Sequence, residues 1–106
     1  MAKGPVKHVV LFKFKDHVDE KQAAELIEGY KALPGKIAAM KAFEWGPDVS
    51  TEGLQEGFTH CFITTFENTE GRDSYIPHQA HKDYVEVLFP HLDKILVLDY
   101  VPQVVM

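Results

Sequence analysis

Six histidines and four tyrosines in a chain of 106 residues make acid–base chemistry the first possibility to weigh. His81 shares an apolar helical row with Tyr84, Val85, Leu88, Phe89 and Leu92. Burial in such a row disfavours the charged imidazole, and the neutral ring that remains can accept a proton near pH 7. His8 lies on one strand face with Val6, Val10, Phe12 and Phe14. Tyr30 falls in a second helical row, beside Ala23, Leu26, Ile27 and Leu33, and Tyr75 stands a little upstream of His81. Taken singly, each has a plain packing explanation: a core histidine with one hydrogen bond, or a core-edge tyrosine whose hydroxyl reaches water. Four titratable groups converging on one interior layer are better read as a site.

The other histidines are weaker candidates. His60 lies mid-strand on the side of His8, His78 and His91 fall near helix ends, and His17 is a turn residue. None forms a His-x-His or His-Glu-x-x-His arrangement, so neither a metal nor a cofactor is expected. There is no P-loop or Gly-x-Gly-x-x-Gly, and Ser50 and Ser74 have no triad context. The one cysteine, Cys61, sits in an apolar run and reads as a small buried hydrophobe. A net charge of -5 with scattered lysines argues against a nucleic-acid partner. No apolar run approaches the roughly 20 residues of a membrane span, and the N-terminal residues show no leader, so a cytoplasmic location is expected.

The elements that must position these residues follow from the hydrophobic period. Residues 6–15 alternate as a strand, and Asp19 with Gln22 caps a helix that Pro34-Gly35 ends. A short strand over 41–45, a polar loop over 47–57 and a long strand over 58–66 come next. Asn68 or Thr69 caps a short helix to Ile76, Pro77 interrupts, and a helix over 79–92 leads into a last strand over 93–100. Residues 1–106 are thus read as one α+β domain of ferredoxin-like β-α-β-β-α-β order, an antiparallel sheet with helices on one face. Two helices cover only one sheet face, which leaves Val9, Leu11, Cys61, Ile63 and a row of the last strand bare. The pattern predicts a homodimer through that face, closed into an α+β barrel.

Several segments carry a resemblance. Lys7-His8, Met40-Lys41-x-Phe43-x-Trp45-Gly46, Gly57-Phe58-Thr59-His60, Tyr75 with His78 and His81, and Leu98-Asp99-Tyr100 together resemble the plant stress-response A/B barrel family. The resemblance spans nearly the whole chain and implies a dimeric α+β barrel. The family includes heat-stable stress proteins, a polyketide cyclase and a hydroxynitrile lyase. In its cyclase-like members the cavity lies between helices and sheet. The resemblance there implies His81 as base, Tyr75 as its assistant, and His8 and Tyr30 as lining. It departs at Pro34-Gly35-Lys36 and at Pro77, which implies a reshaped pocket wall. What it implies for function is a cofactor-independent lyase or cyclase acting on a small organic substrate, with polyketide-type aldol cyclisation first. The alternatives are cyanohydrin cleavage, or a non-enzymatic stress protein holding at most an apolar ligand.

Overall fold

The computed structural model describes residues 4–105; Met1–Lys3, on which the expectation about a leader falls, and Met106 lie outside them. The strands are β1 (Val6–Phe14), β2 (Met40–Pro47), β3 (His60–Phe66) and β4 (Leu92–Tyr100); the helices are α1 (Glu20–Lys31), α2 (Thr69–Tyr75) and α3 (Gln79–Leu88). All strand pairs are antiparallel, in the order β2-β3-β1-β4.

Local chemistry sets the helix ends. The Asp19 carboxylate accepts from Gln22 N at 2.8 Å, Asn68 Oδ1 accepts from Gly71 N at 2.8 Å, and His78 Nδ1 accepts from Ala80 N at 3.1 Å. The expected helix over 79–92 is shorter than its apolar period. Pro90 lacks an N–H and crowds the preceding turn, so Phe89–His91 tighten into a 3-10 turn and Leu92 already begins β4. In the other direction, the short strand of 41–45 extends to Met40–Pro47 by pairing along β3.

The core lies between sheet and helices, where Phe12, Phe62 and Phe66 of the central strands meet Leu26, Ile27 and Leu88. The ferredoxin-like order stands, but the closed barrel expected from the sequence is not what forms. The sheet is open, with β2 and β4 as its two edges. Four strands fall well short of the roughly eight that enclose a filled interior, and the helical layer occupies one of the two faces. On the other face the register aligns Val9 with Ile63 and Leu98, and Leu11 with Cys61 and Leu96. β4 is unusual in being exposed on both sides: Ile95 and Val97 face the helices yet stay accessible, because the helical layer stops short of this edge. That gap creates the cavity described next. No helix among the described residues is long and apolar enough to cross a membrane.

Candidate active site

A cavity of about 320 Å³ opens between α2–α3 and the β1–β4 side of the sheet. His8, Tyr30, Tyr75 and His81 all line it, with Val10, Val85, Leu88, Ile95 and Val97 among its apolar walls. The Tyr75 ring lies 4.1 Å from the His81 ring, centroid to centroid, and meets the His8 ring edge-on at 5.5 Å. Tyr30 is buried against Phe62, 4.8 Å away, and forms the floor rather than the mouth.

The proton positions follow from the partners. His81 Nδ1 is 2.9 Å from the Ile76 carbonyl oxygen, which can only accept, so Nδ1 carries the hydrogen and Nε2 keeps its lone pair. Burial holds the His81 imidazole below its ordinary 6.5, opposed by the Ile76 hydrogen bond and aided by the nearby His8 and His78. His81 is therefore neutral at pH 7. Burial pushes Tyr75 up to about 12 and Tyr30 well above its ordinary value, so both hydroxyls remain donors. Tyr84 also reaches the cavity, but its hydroxyl donates to Leu26 O at 2.7 Å and is spent on joining α3 to α1.

Two charged residues join the site that the sequence reading did not single out. Asp99, opposite His8 in the β1–β4 register, places Oδ1 2.6 Å from His8 Nδ1. Arg72 Nη1 donates to the other oxygen of Asp99 at 2.7 Å. A signal for Asp99 did exist: it falls on the Ile95–Val97 row, where a carboxylate turned towards the helices needs a partner. Arg72 sits in a short polar helix with no period to mark it.

The remaining histidines are elsewhere. His60 borders a separate groove with Phe14 and Trp45, and burial lowers its pKa. His78 caps α3, while His17 and His91 contact each other at 3.0 Å near the surface. Lys36 lines a different groove between α1 and α3, and Pro77 is not among the lining residues of the site cavity. Among the described residues, no group of three or more His, Cys, Asp or Glu is placed to hold a metal ion.

This arrangement has known kin. The chain is 52% identical over 101 residues to the stress-response A/B barrel domain-containing protein HS1 of Arabidopsis thaliana, spanning 95% of this chain and 93% of HS1. It is 40% identical over 98 residues to olivetolic acid cyclase of Cannabis sativa, spanning 92% and 97% respectively. Among solved structures, hydroxynitrile lyase from Passiflora edulis matches with a TM-score of 0.90 at 27% identity over 95% of each chain. A dimeric ferredoxin-like protein from Thermobifida fusca shares the fold at 22% identity and a TM-score of 0.77, over 96% of this chain and 95% of its own. The profile of the Stress responsive A/B Barrel Domain matches residues 6–102, and the chain belongs to that family.

Proposed function

We propose that the cavity is a cofactor-independent acid–base site for aldol cyclisation of a small, linear poly-β-ketone. One observation carries this reading: a neutral imidazole with a free Nε2 and a protonated tyrosine lie 4.1 Å apart, centroid to centroid, inside an otherwise apolar pocket. His81 Nε2 takes a proton from a carbon between two carbonyls. The resulting carbanion attacks a distant carbonyl carbon and closes the ring. The Tyr75 hydroxyl donates to the oxygen that gains charge, and the imidazolium returns its proton to that oxygen. The kinship with olivetolic acid cyclase supports this chemistry. A cavity near the small end of the ordinary range of roughly 300–1,000 Å³ fits a substrate that folds to one ring.

The likeness to the Passiflora hydroxynitrile lyase supports a second reading with the same pair. There His81 would take the cyanohydrin hydroxyl proton, a carbonyl would form, and cyanide would leave with its bonding electrons. Both readings are tested by offering linear poly-β-ketone thioesters and aromatic cyanohydrins to the unmutated protein, His81→Gln and Tyr75→Phe. His81→Gln keeps a polar side chain without a base and is expected to slow turnover of the preferred class by roughly 10²–10⁴-fold. Tyr75→Phe should lower turnover more than binding. If neither class is turned over and His81→Gln raises the melting temperature, the chain is a non-enzymatic stress protein retaining an unused polar site.

The same proposal extends to assembly. Two copies pair through the bare sheet face that carries Leu11, Ile63 and Leu98, leaving both cavities on the outer, helical sides.

A further inference from the structure

The site contains a second imidazole with its own wiring, which the proposed cyclase or lyase chemistry leaves unused. His8 is buried, and its Nδ1 lies 2.6 Å from Asp99 Oδ1. An ionised carboxylate only accepts, so Nδ1 carries the hydrogen and Nε2 is the ring's acceptor. Asp99 is in turn held from its far side by Arg72 Nη1 at 2.7 Å, and the Arg72 Nε donates to Asp73 at 2.8 Å. The guanidinium is thus pinned between two carboxylates, donating one charge-assisted bond to each, and its bond to Asp99 restrains the rotation of that carboxylate.

We infer that Arg72 is a positioning residue, which acts through Asp99 to hold the His8 ring with its Nδ1–H on the carboxylate and its Nε2 free for a ligand in the cavity. The groups surrounding His8 make this role specific. Tyr30 from α1, Tyr75 from α2 and His81 from α3 share the cavity, and all three are uncharged at neutral pH. Asp99 is the anion bonded to the ring, and Arg72 is the cation bonded to that anion. Without Arg72, the carboxylate is free to turn, and the ring loses the contact that fixes which nitrogen carries the hydrogen and which faces the cavity. Arg72 and Tyr75 stand three residues apart on α2, so one helix face sets both the hydroxyl and the clamp.

The inference rests on the acid–base reading of the cavity, but its test does not need turnover. Long-range proton–nitrogen NMR spectra of histidine-labelled protein at pH 7 distinguish the two neutral tautomers from imidazolium. His8 is expected to show the Nδ1–H form in the unmutated protein. In Arg72→Met it should move to a mixed-tautomer pattern, and in Arg72→Lys, which can still donate to the carboxylate, return most of the way. Where a substrate is found, Arg72→Met should lower kcat about tenfold, in keeping with other partners that orient an imidazole from behind, with little change in KM. An unmutated protein that turns over nothing yet shows the tautomer response overturns the enzymatic reading and keeps the Arg72 assignment. An unchanged His8 spectrum in folded Arg72→Met overturns the assignment, whatever the activity.

Discussion

A base is useful only in the pH range where it is unprotonated, and burial moves His81, the base in the proposed reaction, in the favourable direction. Its pKa lies below 6.5, so kcat/KM should stay level through neutral pH and fall as the pH drops below that value. Tyr75 ionises only near 12, so no alkaline loss from that hydroxyl should appear before then. The same shift affects stability with the same sign. Unfolded His81 binds a proton more readily than folded His81, so its contribution is present above 6.5 and is lost as the pH falls through the folded value. A pH series of initial rates checks the first expectation; a rate that rises on acidification would remove His81 as base. Thr64 supplies a second test at this scale. It is fully buried beside His8 in the register, and its hydroxyl makes no close hydrogen bond among the described residues, although it is near enough to the Tyr30 hydroxyl to favour that group's ionisation. Thr64→Val keeps the shape and removes an unmet polar atom. It is expected to stabilise the fold by roughly 1 kcal/mol, read as a rise in melting temperature. A clear fall would mean that the hydroxyl is satisfied in solution.

Helix α1 and helix α3 come together at Gly29, and this contact shapes one wall of the site. A Cβ at position 29 would lie 2.9 Å from Tyr84 Cε1. The Tyr84 ring cannot easily withdraw, because its hydroxyl is bonded to Leu26 O and its face packs 5.4 Å from Tyr30. Replacing glycine by alanine inside a helix ordinarily gains about 1 kcal/mol. Here the clash should reverse the sign, and Gly29→Ala is expected to lower the melting temperature. In a Tyr84→Leu background the same substitution should become stabilising. If Gly29→Ala stabilises both backgrounds, the contact is not tight. This packing was invisible in the sequence, where Gly29 reads only as a weak point in a helix. The period of α1 did place Tyr30 inside, and the alternation of β1 did place His8 on the helical side, because both signals are local and repeat. The pairing of Asp99 with Arg72 was not legible for the opposite reason: Asp99 falls on the periodic row of Ile95 and Val97, but its contact with Arg72 depends on the β1–β4 register and on α2 docking above it, neither of which has a local periodic signature. The overlong reading of α3 has a local cause: Phe89 and Leu92 continue the apolar row past Pro90, and the row alone cannot tell a helical turn from the start of a strand.

At the scale of the whole molecule, the chain is a slab of 42 × 36 × 17 Å with a Cα radius of gyration of 14.4 Å, against about 13 Å for a compact domain of this length. It exposes 6937 Å², where a monomer of 12.0 kDa usually exposes about 6,000 Å². Leu96 and Leu98 retain 43% and 59% of their surface on the side away from the helices, and Leu11 lies in register with Leu96. A chain that leaves such a row bare gains most by placing a second copy against it. The unmutated protein is therefore expected to sediment as a dimer at micromolar concentration. Leu11→Lys would bury an unpaired ammonium in that interface, at a cost of several kcal/mol, and should yield monomer or aggregate. Val49→Lys adds the same charge on the exposed loop between β2 and β3 and should leave the dimer intact. Sedimentation equilibrium separates these outcomes. A well-folded monomer of the unmutated chain at those concentrations would show that the bare face serves something other than self-association.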